Sequence, residues 1–472
     1  MELDMTKGSP FKLIFKFILP VVAGNLFQQL YNMVDTIIVG KFVGLDALAA
    51  VGATGTITFL IIGFAMGLSA GFAVVISQKF GAGDREGVKV ATFNSIALTV
   101  GLTVIITLIS VLSMRWLLTV MNTPENVFQM SYDYIIIITG GLFFTMLYNV
   151  CAGLLRAVGD SRTPLYFLII SATLNVGLDL LLIIVFKMGV RGAAIATIAS
   201  QGVSGALCLI YIFKKVKVIV PERKHMHMDR QIATNQLKIG VPMALQYSIT
   251  AIGTIMIQAA LNLFGSTVMG SYTAANKVCQ FITLPYSALG VTMSTYCAQN
   301  RGINDIDRIR KGVRSANVLS AVYSVSVFLL SIPLFPMLLK LFVDSSADFA
   351  QVLEYAKVYY YRAGVCFIPL GMIFIQRNAM QGCGFSFSAM MGGIVELVSR
   401  GIIAKIAVAR MSFAGVCLGD PLTWFITAVF FVVAYFMTIR SMKRSKEAYE
   451  AGRGSNRVYE LRRNKGVSGA TE

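Results

Sequence analysis

The sequence predicts an all-α polytopic membrane protein with twelve transmembrane helices, arranged as two pseudo-symmetric six-helix lobes that are parallel repeats. Three observations carry this prediction. Of 472 residues, 56% are hydrophobic and 14% charged, with a mean hydropathy of +0.71, whereas soluble domains carry about 25% charged residues. Apolar runs of roughly 20 residues recur along the chain, the length a helix needs to cross a bilayer. Landmarks of the first half also return in the second at nearly constant spacing.

Hydropathy windows place the spans near 13–38, 54–77, 92–114, 133–155, 165–186, 192–213, 239–263, 276–298, 316–341, 358–380, 387–408 and 415–438. Lipid offers the backbone no water to bond, so spans are helices or closed barrels. Continuous apolar runs, rather than ten-residue alternation, select helices. The runs are too long, and the polar gaps too short, for a soluble sheet protein.

The net charge of +18 raises the question of nucleic acid, but its distribution answers otherwise. With the N-terminus inside, about 30 of the 41 Lys and Arg fall in loops and tails of that side. Both termini are therefore expected in the cytoplasm, with the basic charge setting orientation and attracting anionic headgroups. MELDMTKGSP (residues 1–10) is polar and lacks the pattern of a cleaved leader. The seven cysteines lie mostly inside spans and read as small core residues.

Pro20 and Pro242 open the first and seventh spans. QKFGAGD (78–84) matches QNRGIND (299–305), both Q-x-x-G-x-x-D. Gly159 pairs with Gly384, and Gly192 with Gly415. All four spacings fall at about 221–225 residues. Six spans per half make the repeats parallel, about an axis along the membrane normal. The expected organisation is an N-terminal lobe at 1–213, a basic cytoplasmic linker at 214–238, a C-terminal lobe at 239–440 and a charged cytoplasmic tail at 441–472. The tail from Lys443 onward is expected to be disordered or interfacial. Two parallel lobes around a cleft suit alternating access.

A carboxylate inside a span is expensive and needs a partner or a task. Gln28, Tyr31, Asn32 and Asp35 recur at i, i+3, i+4 and i+7, one face of the first helix. Simple snorkelling of Asp35 to the interface would need no such stripe. Ser171, Asn175 and Asp179 form a second stripe on the fifth span. Desolvated carboxyl groups, each flanked by amides and hydroxyls, suit a cation or proton site. Asn149, Thr197 and Ser200 either complete it or bond ordinary neighbouring helices. The second half is no copy here: Glu396 and Arg400 stand at i, i+4 and read as an intrahelical ion pair or as a cleft-facing site. Gln246, Tyr247 and Gln258 make a weaker polar face on the seventh span. Pro20 permits bending of the helix that carries Asp35.

These residues resemble the multidrug and toxic compound extrusion (MATE) family in its bacterial branches. The likeness rests on P-x(7)-Q-x-x-Y-x-x-x-D-T-x-x-V-G at 20–40, N-x-x-x-D at 175–179 and the paired Q-x-x-G-x-x-D loops. It implies proton- or sodium-driven antiport of cationic and amphipathic drugs across the bacterial cytoplasmic membrane, with no cofactor beyond the coupling ion. It further implies an N-lobe cation site at Asp35, Asn175, Asp179 and Thr197, open to Na⁺ at the two aspartates. Gln28 and Tyr31 would lie close by, and the hinge at Pro20. The seventh span of some members carries an acidic residue; QYSITAIGTIMIQ (246–258) has none. The expected partners are small cationic or amphipathic substrates and membrane lipid, with no nucleic acid and a monomeric chain. The expected pocket is lined by aromatic and Met side chains.

Two other classes compete. A lipid or lipid-linked oligosaccharide flippase of the same superfamily would favour further helices and several arginines in the cleft; Arg400 reads as the only arginine well inside a span. A membrane enzyme would need paired Asp motifs or a buried His. The only histidines, His225 and His227, fall in the linker and read as a solvated basic loop. No G-x-x-x-x-G-K-[ST] loop is present for ATP.

Overall fold

The computed structural model of the chain describes residues 3–121, 123–343 and 348–451. Every regular element among them is helical. The first half runs α1 (Pro10–Phe42), α2 (Leu45–Gly81), α3 (Arg85–Val120), α4 (Glu125–Gly140), α5 (Leu142–Ala157), α6 (Arg162–Asp179) and α7 (Gly189–Lys215). The second runs α8 (Arg230–Leu261), α9 (Ser266–Gly302), α10 (Ile306–Lys340), α11 (Phe349–Val365), α12 (Phe367–Gly382), α13 (Ser386–Ala409), the single turn α14 (Phe413–Val416) and α15 (Gly419–Glu450).

The repeat read from the sequence is written into the backbone. Positive-φ residues recur in register: Gly44 with Gly265, Gly83 with Asn304, Gly159 with Gly384, and Lys187 with Met411. The Asp of each Q-x-x-G-x-x-D motif caps the next helix. Asp84 accepts from the amide of Gly87 at 3.1 Å, and Asp305 from that of Arg308 at 2.9 Å. The fourth and tenth predicted spans are each broken, with α4 and α5 bent by 46° and α11 and α12 by 51°.

Eight helices are long and apolar enough to cross a membrane, and the two bent pairs bring the number to ten among the described residues. The two further predicted spans, the eighth and eleventh, are helices of 37 and 24 residues, α9 and α13. Their apolar character is diluted by polar side chains turned to the interior, among them Asn276, Gln280, Glu396 and Arg400. Pro20 and Pro242 lie inside α1 and α8 rather than at their starts. The stretch from Lys443 to Glu450 continues α15 instead of forming a separate tail. The expected tail beyond it, from residue 452, lies outside the described residues.

The halves meet chiefly where α2 lies along α8. A Cβ on Gly67 would sit 2.6 Å from the Ala244 Cα, and one on Gly71 would sit 2.3 Å from the Gly240 Cα. Only glycine permits this backbone approach, the small-residue mode of helix packing in lipid. At the end bearing the charged loops, α2 also crosses α9. There Gln78 donates to the Gly382 carbonyl at 2.9 Å and Gln299 to that of Ala157 at 3.1 Å. The N-terminal segment seals this crossing: buried Met5 accepts from Asn300 and Arg308 and donates to Gln299. At the opposite end Gly52 and Gly55 of α2 and Gly270 of α9 meet no neighbour. The Gln78, Gln299 and Met5 bonds shut the molecule at the charged end.

The linker is docked, not a solvated loop. His225 is 2% exposed, with Nε2 at 2.6 Å from a Glu86 carboxylate oxygen and Nδ1 accepting from the Glu222 amide at 3.1 Å. Glu222 also pairs with Lys89, a bond that holds its carboxyl below the ordinary carboxylate range. All seven cysteines are free, and all but half-buried Cys366 are buried, as the sequence indicates. Replacing His225 with Ala removes the central bond of this docking. Limited trypsinolysis is expected to cut faster after Arg223 and Lys224; an unchanged rate would show that the linker is held by other contacts.

Candidate functional site

Two polar regions stand out inside the helical bundle. The first lies within the first half, where α1, α6 and α7 pack together. Asp35 on α1 is 9% exposed, and Asn175 and Asp179 on α6 are fully buried with Ser171 on the same face. Asp179 ends the regular α-helix, and the chain continues as a π-helical turn over Leu180–Val185. Such turns often mark functional positions.

The Asp35 and Asp179 carboxyl groups interact side chain to side chain. Tyr31 and Tyr134 lie within electrostatic range of both, and Gln201 of α7 bonds Tyr31. Hydrogen bonding is incomplete throughout. Both oxygens of Asp179, Oδ1 of Asp35, both polar atoms of the Asn175 amide and Oε1 of Gln201 are buried without a partner. Buried polar groups are nearly always bonded, so orphans gathered in one place call for an explanation. They present mostly acceptors, the donor set of a hard cation or of a shared proton.

The predicted stripe on α1 is joined only in part. Tyr31 and Asp35 reach the cluster, Gln28 is half-buried, and Asn32 is exposed. Thr197 is half-buried one turn before Gln201, on the same face of α7. Asn149 spends its amide on the Thr145 carbonyl of its own helix, at 2.8 Å. Tyr134 and Gln201 are additions that sequence reading missed; Gln201 stands four residues after Thr197, a spacing that could have found it.

The second region is a cavity of about 540 Å³ between the halves. α2 and α5 wall it on one side, and α8, α9, α12, α13 and α15 on the other. Asp35 and Asp179 do not line it. Glu396 and Arg400 do, and their expected ion pair forms at 3.0 Å. The pair has a third member. Arg400 Nε donates to Asp420 Oδ1 at 3.0 Å, and Tyr272 donates to Asp420 Oδ2 at 3.1 Å. Asp420 escaped sequence reading because it begins α15, a predicted span, as a single acid before Pro421. In the first turn it also complements the helix dipole. Gln246 lines the same space and accepts from Gln381 at 2.7 Å.

Two expectations need correction. Met243 is the only methionine among the lining residues, so the wall is polar and aromatic rather than Met-rich. Most methionines are spent on packing and on the lipid face. Arg400 is also not the sole arginine inside. Arg156 of α5 and Arg377 of α12 line the cavity, reached by helix turns that hydropathy windows placed at or beyond the span ends.

A family model described as MatE matches residues 20–181 and 239–405, one block in each half. The chain belongs to the MatE family. Among MatE relatives, the probable multidrug resistance protein YpnP of Bacillus subtilis is 30% identical over 375 residues, 78% of this chain and 83% of that protein. The probable multidrug resistance protein YoeA of the same organism is 29% identical over 316 residues, 66% of this chain and 68% of that one. A solved MOP superfamily transporter from Pyrococcus furiosus superposes with a TM-score of 0.88, covering 93% of this chain and 98% of that chain at 22% identity. The MatE fold is thereby established, and its relatives are transporters.

Asp420→Asn leaves Arg400 half-neutralised in a buried setting, which typically costs about 3–5 kcal/mol. The expected outcome is a lower thermal midpoint for the purified protein in detergent. Glu396→Gln should do the same, and the double variant should lose less than the sum of the two.

Proposed function

We propose that the chain exports small amphipathic molecules across the bacterial cytoplasmic membrane by antiport against H⁺ or Na⁺. Both termini would be cytoplasmic, and the monomer would be the working unit. The observation that carries this reading is the orphaned cluster around Asp35 and Asp179. A proton or Na⁺ arriving there would satisfy acceptors that no described residue serves. Asn175, Thr197 and Gln201 would supply further oxygens, and Tyr31 and Tyr134 would screen the pair from lipid. Family membership and the multidrug-resistance relatives support the exporter class.

The cycle follows from charge. With both carboxylates ionised, mutual repulsion and desolvation destabilise the packed cluster. Loading it removes that repulsion and favours the arrangement seen here, shut at the end bearing the charged loops. With the termini inside, the shut end would face the cytoplasm, so loading would favour substrate release outward. A membrane potential of 100 mV contributes roughly 2.3 kcal/mol per charge moved inward. Pro20 lies in the charged-end half of α1, so bending there would move Asp35 relative to α6. The halves would rock about the Gly67–Gly71 contact with α8.

A flippase for lipid or lipid-linked oligosaccharide is the second reading. The three arginines lining the cavity favour it more than the sequence did. The acid cluster, which calls for a coupling ion, favours the antiporter.

Efflux of a fluorescent amphipathic dye from everted vesicles, under separately imposed pH and sodium gradients, tests both function and ion. Asp35→Asn should abolish gradient-driven efflux while membrane insertion persists. Asp179→Asn should shift the pH or sodium dependence. Full activity of Asp35→Asn, or scrambling of a fluorescent lipid without dye efflux, would overturn the proposal.

A further inference from the structure

We propose that residues 3–8, the segment ahead of α1, form a closing strap, which is anchored on the second half, hooks the first half at the Gly159 turn and holds the charged end shut until it unhooks. This rests on the export reading above and names the element that governs access from the side of the charged loops.

The sequence shapes the strap. Asp4 accepts from the Thr6 amide at 2.8 Å, a local turn typical of aspartate. Gly8 takes a positive φ of 86°, and Pro10 starts α1 at the position proline favours. Met5 is fully buried, while Asp4, Lys7 and Gly8 stay exposed. The segment thus lies across the protein surface with one side chain driven in.

Its anchor is the second half. Met5 shares a core with Ile14, Phe17 and Ile18 of α1 and with Tyr296 and Ile309 of the second half. The Met5 amide donates to Gln299 Oε1 at 2.8 Å. Its carbonyl accepts from Asn300 at 3.2 Å and from Arg308 Nε and Nη2 at 3.2 and 3.1 Å. Bonds from a charged guanidinium are stronger than neutral ones. Beyond Pro20, Ile38 and Val39 of α1 pack instead with Tyr134, Ile183 and Val190 of the first half. α1 is shared between the halves, and the strap lies at the end held by the second.

Its hook is slighter. Among the described residues one hydrogen bond joins the strap to the first half, from the Leu3 amide to the Val158 carbonyl at 3.1 Å. The adjacent Gly159 has a φ of 87°, and a Cβ there would sit 2.3 Å from the Leu3 carbonyl oxygen. Glycine leaves the slot in which the Leu3 backbone rests. The matching turn of the second half carries no such backbone: a Cβ on Gly384 would meet only Gln78 Nε2, at 3.6 Å. The bonds from Gln78 to Gly382 and from Gln299 to Ala157 are related by the repeat, whereas the strap is not. Gln299 holds the strap through Oε1 and the first half through Nε2, so a docked strap also orients that latch. A single neutral bond at a half-buried residue is the weakest link, and the strap parts there first.

The test is alkylation of one cysteine in the cavity by a membrane-impermeant maleimide. Ala73→Cys, on the cavity wall, is placed in the full chain in a cysteine-free background. Vesicles of both orientations present either end to the reagent. Leu3→Pro removes the hooking N–H and is expected to speed alkylation from the charged-loop side about three- to tenfold. Deleting residues 2–8 is expected to speed it about tenfold or more. Lys7→Ala, on the exposed side of the strap, should change nothing. Should the deletion fail to fold, Leu3→Pro still decides. Alkylation unchanged by Leu3→Pro, equal acceleration by Lys7→Ala, or equal acceleration from both sides of the membrane would overturn the proposal. Dye efflux by the parent protein separates the two readings. Strap-dependent alkylation without gradient-driven efflux would sink export alone, and gradient-driven efflux with strap-independent alkylation would sink the strap alone.

Discussion

Asp35 and Asp179 are buried side by side in the first half, and among the described residues no donor reaches either oxygen of Asp179 or Oδ1 of Asp35. A folded protein rarely tolerates that arrangement unless something mobile satisfies it. In the export reading proposed above, an ion the size of H⁺ or Na⁺ bound there would alter the balance of charge deep in the bundle. α1 holds Pro20, and α6 breaks into a π-helical turn directly after Asp179.

In that proposed cycle, the rest of the architecture would convert the local change into access. α2 is held against α8 by Gly67, Gly71, Gly240 and Ala244, and no larger side chain fits at the glycines. In the proposed cycle this contact would be the pivot about which the halves turn. The charged end is shut by polar bonds that cross between halves, through Gln78, Gln299 and the buried Met5. Such bonds exchange readily for water, unlike an apolar seal, so the gate can open without exposing a large apolar face. The sequence motif Q-x-x-G-x-x-D thus unites three tasks. Its Gln latches the halves, its Gly permits the crossing of α2 and α9, and its Asp caps the following helix.

Much of this was legible beforehand, for physical reasons. Asp35, Asn175 and Asp179 announced themselves because polar groups in lipid are rare and because spacing by four places them on one face. The duplication showed in turn residues, since a positive φ restricts which residue can stand there. Other features hid. Asp420 and Arg400 lie 20 residues apart on different helices, so their bond is a tertiary fact with no local trace. Arg156 and Arg377 stood at the edges of hydropathy windows, where a charge passes as a loop residue. The bends between α4 and α5 and between α11 and α12 fell inside uninterrupted apolar runs. His225 looked solvated because its neighbours are basic, while its partner Glu86 lies 139 residues away.

The central claim is that loading the Asp35–Asp179 pair holds the charged end shut. Spin labels at Arg85 and Arg310, on exposed turns of α3 and α10 at that end, report its opening by pulsed dipolar distance measurement in a cysteine-free background. At low pH or high sodium, one short distance is expected. At high pH without sodium, a longer population should appear in the parent protein and be absent from the Asp35→Asn, Asp179→Asn double variant. A distance distribution indifferent to pH and sodium, or a double variant that opens as the parent does, would contradict the account.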